Sequence, residues 1–194
     1  MQFIYQTERL SLQILNAEQA QTVCDFYCEN KDFLEPYEPK RPANFYTASF
    51  HASNLSCEYH AFLKLSYIRY WIFAKENPSV PIGSVCFSNF MHGAFQKCML
   101  GYKLGETACH NGYMTEALSF LLPIVMQEFH LHRIEAFVQP DNTSSIRLLS
   151  RLGFAEEGYL SSFAQINGIW TDHLLFSYVG SNSDCSVPGS TSIQ

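Results

Sequence analysis

Charge is scarce in this sequence. Asp, Glu, Lys and Arg make up 15% of its 194 residues, and Lys plus Arg number 12 against 18 Asp plus Glu, a formal net charge of −6. Without a basic excess there is no patch to displace counterions from a phosphate backbone, which excludes a general nucleic-acid surface and leaves a cationic substrate compatible. Cysteine pairing is also missing. The seven cysteines, at positions 24, 28, 57, 86, 98, 109 and 185, are odd in number and contain no Cys-x-x-Cys. That argues against a disulfide framework and for free thiols in a reducing cytoplasm. Cys24 with Cys28, and His130 with His132, lack further ligands at metal-site spacing, so no metal is expected. No apolar run is long enough to span a membrane and no signal-like segment opens the chain, so neither a membrane nor a secretory route is expected.

Aromatics are abundant instead, with 16 Phe and 11 Tyr in a composition that is 47% hydrophobic. A chain of this size buries a core without disulfides or metals. Thr7 to Leu15 alternates as a strand, and Asn16-Ala17-Glu18-Gln19 reads as a capping box before a helix carrying Ala20, Val23, Cys24 and Tyr27 on one face. Asp32 to Pro42, interrupted by Pro36, Pro39 and Pro42, reads as loop or broken helix. A second helix is expected over Thr47 to Leu65. Three strands follow (Tyr70 to Lys75, Ile82 to Met91, Lys97 to Leu104), with turns at Asn77-Pro78-Ser79 and His92-Gly93-Ala94 making an antiparallel meander. A helix after Gly112 stacks Met114, Ala117, Leu118, Leu121 and Val125. Then come a strand (Arg133 to Gln139), a helix (Asn142 to Leu152) stopped by Gly153, and two strands (Ala155 to Gln165, Gly168 to Val179) joined at Ile166-Asn167-Gly168. Gly180 to Gln194 reads as a disordered tail. The order β-α-α-β-β-β-α-β-α-β-β describes a single α/β (α+β) domain, residues 1–179, with a mixed sheet.

Two segments carry chemistry. In Thr107-Ala-Cys-His-Asn-Gly-Tyr-Met-Thr-Glu116, a strand runs into a polar turn and Gly112 opens a helix. Unpaired N–H groups at the positive end of a helix dipole form an anion site, most usefully for a pyrophosphate. About thirty residues on, Asn142 is a good N-cap. Ser145 is the one polar member of an apolar stripe with Leu148, Leu149 and Leu152, and its hydroxyl either bonds back to the helix or serves a site.

These two units, in this order and spacing, resemble the GNAT superfamily of acetyl-CoA-dependent N-acetyltransferases, specifically its RimJ/RimL-like branch. Four pieces carry the likeness: Thr-Glu-Arg-Leu-Ser-Leu at 7–12; Gly101-Tyr102-Lys103-Leu104; Gly112-Tyr113-Met114-Thr115-Glu116-Ala117-Leu118; and Arg133-Ile134-Glu135-Ala136 continuing through Asn142, Ser145, Leu152-Gly153-Phe154 and Glu157-Gly158. The resemblance implies a GNAT-like domain with a mostly antiparallel sheet of about seven strands flanked by helices. It implies that the backbone of Tyr102 to Leu104 holds the pantetheine arm and acetyl carbonyl of acetyl-CoA, with N–H groups around Lys103 meeting the charge that develops on that oxygen. The turn formed by Cys109, His110, Asn111, Gly112, Tyr113, Met114 and Thr115 would hold the pyrophosphate. Asn142 would contact the amide arm, Ser145 would lie near the sulfur, and Arg147 and Arg151 would approach the nucleotide phosphate. The family's turn reads Gln or Arg, two residues, Gly, any residue, then Gly or Ala. Here Thr107 and His110 depart from it; His110 could still offer its N–H if its φ is negative, with a Cβ that narrows the approach and would reduce cofactor affinity, or its side chain could itself reach a phosphate.

The implied reaction is direct acetyl transfer to an amine. Ser145, Tyr102 or Tyr113 would protonate the leaving thiolate. Glu38, His92, Glu157 and His173 are possible bases by residue type, a water chain is the alternative, and no choice follows from the sequence. Glu116 is expected to serve its helix N-terminus. The acceptor side is expected between Asp32 and Tyr46 and at the hairpin near Asn167 to Trp170. There Phe33 and Tyr37 would wall the substrate, with Phe45 and Tyr46 beside them, and Glu35 and Glu38 would attract a cation; the alternative is that these aromatics only anchor a loop on the core. By analogy with the branch the acceptor is a protein N-terminal α-amine of ribosomal type, with a polyamine or drug amine as the alternative, and the protein a monomer or homodimer. A non-catalytic acyl-CoA-binding or protein-binding relative is the reading from another class.

Overall fold

A computed structural model describes residues 1–180; the tail expected over Gly180 to Gln194 lies, apart from Gly180, outside them. β1 (Ile4–Gln6) and β2 (Leu10–Gln13) form an antiparallel pair at the sheet edge. The short β1 was not expected, since in three residues only Tyr5 is buried and no alternation shows. The capping box forms: the Asn16 carboxamide accepts from Glu18 N–H, and Gln19 Oε1 accepts from Asn16 N–H at 3.0 Å. It launches a 3-10 turn that runs into α1 (Ala20–Glu29). The proline-interrupted stretch is indeed a broken helix, with α2 (Lys31–Leu34) and a 3-10 turn at Glu35–Tyr37. Thr47 caps α3 (Ala48–Leu63), its hydroxyl accepting from Phe50 N–H at 3.3 Å.

The meander is β3 (Ile68–Ala74), β4 (Asn77–Met91) and β5 (Lys97–Leu104). Its first turn falls at Lys75-Glu76 rather than at Asn77-Pro78-Ser79, and β4 carries both Pro78 and Pro81. The ladder shifts register around Phe73, opposite Pro81. A bulge is where a strand accommodates a residue with no N–H to donate. The long α4 (Tyr113–Glu128) crosses over to β6 (Arg133–Val138), α5 (Thr143–Arg151) follows, and β7 (Ala155–Ile166) and β8 (Ile169–Val179) close the chain. Asn167 and Gly168, at φ +48° and +83°, make the expected two-residue hairpin, with Ile166 opposite Ile169.

The strands form one eight-stranded sheet in the order β1-β2-β3-β4-β5-β6-β8-β7, with only β5 and β6 parallel. It has a core on each face. On one, Leu10, Leu12, Ile72, Val85, Leu100 and Ile134 pack under α4 and α5. On the other, Trp71 and Phe73 pack under α1 and α3 with Phe26, Tyr27 and Phe45.

The positioning feature is the junction of β5 and β6. They pair only at Lys97–Arg133, Cys98–Ile134 and Met99–Glu135; beyond Met99, β5 continues beside β4 and β6 beside β8. The closed end is fastened by charge. Glu135, buried, accepts from Lys97 Nζ at 2.9 Å and Arg133 Nε at 2.7 Å, and Arg133 also reaches Glu157 at 3.0 Å. Burial alone would raise the Glu135 carboxyl, but hydrogen bonds from Lys97 and Arg133 outweigh it and hold the pKa below its ordinary value.

Glu135→Gln should therefore lower unfolding free energy by about 1–3 kcal/mol at neutral pH. The folded carboxyl titrates below its unfolded value, so its contribution is fully present above about pH 4.3 and is lost as pH falls through the folded pKa. Urea denaturation of both proteins across pH should show the gap closing in acid; a gap that widens there would contradict this account of the fastening.

Candidate active site

Past Met99 the two strands leave a cleft of roughly 800 Å³, inside the range of about 300–1,000 Å³ usual for small-molecule sites. Strand alternation assigns its walls. The side chains of Leu100, Tyr102 and Leu104 join the core under α4 and α5, with Ala136 and Val138. Gly101 and Lys103 face the other way. Lys103 Nζ pairs with Glu38 and lies 5.2 Å from the Tyr27 ring centroid on the α1 side. Phe137 and His173 share this second face, Phe137 stacking on Phe163 at 4.5 Å and His173 tilted against Phe163 at 5.5 Å.

The same alternation orients the backbone. Gly105 N–H donates to Ile82 O on β4, whereas Gln96 O accepts from His132 N–H on the β6 side. In an antiparallel ladder a residue directs both its backbone groups towards one neighbour and the next residue directs both away. Gly101, Lys103 and Gly105 thus face β4, and Leu100, Tyr102 and Leu104 turn N–H and C=O into the cleft where β6 has departed. The groups expected around Lys103 belong to its neighbours: its own N–H serves β4 and its ammonium is held by Glu38.

At the end of β5, Glu106–Ala108 form a 3-10 turn and the chain then reverses into α4. Cys109 N–H is spent on Glu106 O, which removes it from the expected anion-binding set. From His110 through Thr115 the N–H groups find no acceptor among the described residues, and Glu116 N–H is the first to close a helical bond, to Gly112 O. His110 has φ +64° and Gly112 φ +78°. The turn needs a left-handed residue where the family has glycine, and His110 adopts that conformation at a cost of about 1–2 kcal/mol, so the negative φ on which its N–H contribution was conditioned is not met. Left-handed residues at His110 and Gly112, with the N–H groups around them free of internal acceptors, make a candidate anion nest.

Residues 7–12 brace this turn. Glu116 accepts from the Thr7 hydroxyl at 2.5 Å, Arg9 N–H at 2.8 Å and Arg9 Nε at 2.7 Å; Arg9 also donates to Asn111 O at 2.9 Å and lies 4.8 Å from the Tyr113 ring centroid. Burial works to raise the Glu116 carboxyl, but these bonds prevail and lower it. Glu116 does sit at its helix N-terminus as expected, and its partner is the opening hexad.

Opposite, the Asn142 carboxamide accepts from Ser145 N–H at 3.1 Å, the expected cap. Ser145 Oγ makes no bond back to a helix carbonyl and lines the cleft. Beside it, burial pushes the Tyr102 phenol up to about 12, with the approach of Ser145 acting in the opposite direction. No hydrogen bond of normal geometry forms between them, and the buried Tyr102 hydroxyl has no partner among the described residues. An unpaired buried hydroxyl is costly unless something completes it. Cleft-facing backbone, a run of free N–H groups and this orphan hydroxyl together suit a long ligand with amides at one end and phosphates at the other.

The profile of the acetyltransferase (GNAT) domain matches residues 9–155. The chain belongs to the GNAT acetyltransferase family. It is 35% identical over 171 residues to the [ribosomal protein uS5]-alanine N-acetyltransferase of Escherichia coli (strain K12), covering 87% of each chain. The crystal structure of ribosomal-protein-S5-alanine acetyltransferase from Vibrio fischeri superposes with a TM-score of 0.87 at 26% identity, covering 93% of this chain and 98% of that one. Mycobacterium smegmatis RimJ in complex with CoA-disulfide gives 0.81 at 26% identity, covering 88% and 82%. This GNAT protein is an acetyl-CoA-dependent N-acetyltransferase.

Most of the residues expected at the site meet in the cleft: Tyr102, Lys103, Leu104, Cys109, His110, Gly112, Tyr113, Met114, Thr115, Asn142 and Ser145, together with Phe33, Tyr37 and Glu38. Asn111 does not; it is exposed, bound through its carbonyl to Arg9 and through its side chain to Cys109 O at 3.1 Å. Arg151 lines the cleft and Arg147 does not. Glu38 is neutralised by Lys103 and by Arg41 at 2.6 Å. Phe45 is buried core, and Tyr46 is half-buried and donates to Glu35 at 2.8 Å, so these two anchor the loop. The hairpin reaches this loop through Asn167, whose N–H donates to Glu38 O at 3.2 Å and whose carboxamide donates to Glu35 O at 3.1 Å. Ala136 to Gln139 and Leu148 were missed, because strand pairing rather than any local motif brings them to the cleft.

His110→Gly should relieve left-handed strain, raising stability by up to about 1 kcal/mol while keeping acetyl-CoA affinity. Gly112→Val should weaken binding about tenfold through backbone strain at φ +78°, although a Cβ there meets only Arg9 at 3.5 Å. Calorimetry with acetyl-CoA checks both, and undiminished affinity in Gly112→Val would refute the turn assignment.

Proposed function

We propose that this enzyme acetylates the α-amine of a protein N-terminus, of the kind carried by ribosomal proteins, and works in the cytoplasm as a monomer or homodimer. The carrying observation is that the cleft opens on both faces of the sheet. On the α4/α5 face are the turn, Asn142, Tyr102 and Ser145, suited to acetyl-CoA. On the opposite face, Phe33, Tyr37, Glu38 and His173 form a separate approach for the amine. The uS5-alanine specificity of the Escherichia coli relative supports a peptide acceptor, and a net charge of −6 suits a cationic one.

Bound acetyl-CoA supplies an activated acyl thioester whose thiol has an ordinary pKa near 8.5. The chain positions it. Tyr102 and Leu104 N–H groups, fixed by the β4 ladder, are donors for charge developing on the carbonyl oxygen, and such donors need no reorganisation. Ser145 Oγ, free of its helix, is available to donate to the sulfur. The N–H groups from His110 to Thr115 hold the pyrophosphate, with Arg9 and Glu116 fixing the turn.

Thiol release measured with an alanine-initiated peptide, a polyamine and an aminoglycoside tests the acceptor. The peptide should be favoured at least tenfold in kcat/KM, and preference for either small amine would overturn the assignment. Ser145→Ala should lower kcat about tenfold or more with acetyl-CoA affinity little changed, the pattern of an interaction made in the transition state. An unchanged kcat would return Ser145 to a structural role.

A further inference from the structure

We propose that His173 accepts the proton released by the attacking amine. The proposal rests on the transferase reading above and adds a residue beyond positions 9–155, the span matched by the family profile.

His173 lies on β8, buried to 6% exposure, and lines the cleft on the amine face. Its Nδ1 is 3.2 Å from the Thr171 carbonyl oxygen. A carbonyl only accepts, so the proton of the neutral ring sits on Nδ1 and Nε2 keeps a lone pair. Nε2 has no hydrogen-bond partner among the described residues. Phe163 against the ring helps fix its orientation.

The alternatives are engaged elsewhere. Glu38 is held between Lys103 and Arg41. Glu157 pairs with Arg133 and Ser177 at the closed end, its carboxyl lowered to about 2 chiefly by Arg133, and it does not line the cleft. His92 is on an exposed turn outside it. Asp172, next to His173, accepts from the Tyr159 hydroxyl and from Ser162 N–H at 2.7 Å. Asp172 beside His173 on its strand, and Glu38 and Lys103 elsewhere in the cleft lining, are thus already partnered, and Nε2 remains the uncommitted proton acceptor on this face.

In the step, the free-base amine forms the C–N bond and its N–H proton passes to Nε2. The C–S bond breaks with its electron pair going to sulfur, which takes a proton from the Ser145 side or from solvent, and the imidazolium returns its proton to water. A base placed this way contributes about 10²–10⁴-fold.

Two measurements test this. Long-range ¹H–¹⁵N spectra of the uncomplexed protein, assigned against His173→Gln, should show neutral His173 protonated on Nδ1; an Nε2-protonated ring would overturn the proposal. With an alanine-initiated peptide, His173→Gln should lose about 100-fold or more in kcat, keep its acetyl-CoA affinity within threefold, and lose the acidic limb of the pH–rate profile. Unchanged kcat with that limb intact overturns the proposal while the transferase reading stands. A wild-type protein inert towards every amine overturns that reading and the proposal with it. If Gln at this position abolishes acetyl-CoA binding, His173→Asn is assayed by the same criteria.

Discussion

Everything at the site depends on one parting of strands. β5 and β6 are joined for three residue pairs and then separate, because β5 stays in its ladder with β4 while β6 stays in its ladder with β8. Opening a sheet in its middle leaves backbone donors and acceptors unpaired, which is costly in a dry interior. Here the loss is localised. Lys97, Glu135, Arg133 and Glu157 close one end with charge-assisted bonds, and at the other end the freed groups of Tyr102 and Leu104 face the cleft. A gap through the sheet also connects its two faces, so two reactants can meet without sharing an entrance.

The turn after β5 extends the same logic to phosphate. Its N–H groups are free because the backbone passes through left-handed conformations at His110 and Gly112, and only the second of these is a glycine. The strain is held by tertiary contacts: Thr7 and Arg9, far away in sequence, bind Glu116 and Asn111 and fix the helix start. The opening hexad is thus connected to the turn before α4 through the β1–β2 edge.

What could be read from residues alone follows from how local the cause was. The capping box at Asn16, the hairpin at Asn167-Gly168 and the Asn142 cap are each decided within four residues, and each forms. The turn between β3 and β4 was misplaced because Pro78 resembles a turn residue, whereas a bulge lets the strand carry it. At the site, Tyr102 to Leu104, the Gly112 turn and Ser145 were legible as contiguous motifs. The direction of Lys103 N–H, the pairing that spends Glu38 and the arrival of His173 at the cleft were not, since each depends on which strands become neighbours. His110 was identified as a departure, but its backbone sign follows from the path of the whole turn.

The central claim is that the parting of β5 and β6 exposes backbone groups that acetyl-CoA completes. Amide hydrogen exchange at single-residue resolution, with and without acetyl-CoA, addresses it directly. In the free protein, Tyr102, Leu104 and His110 to Thr115 should exchange much faster than Lys103, whose N–H lies in the β4 ladder, and acetyl-CoA should slow the first group selectively. Equal protection of Tyr102 and Lys103 in the free protein, or no slowing on addition of acetyl-CoA, would contradict the account.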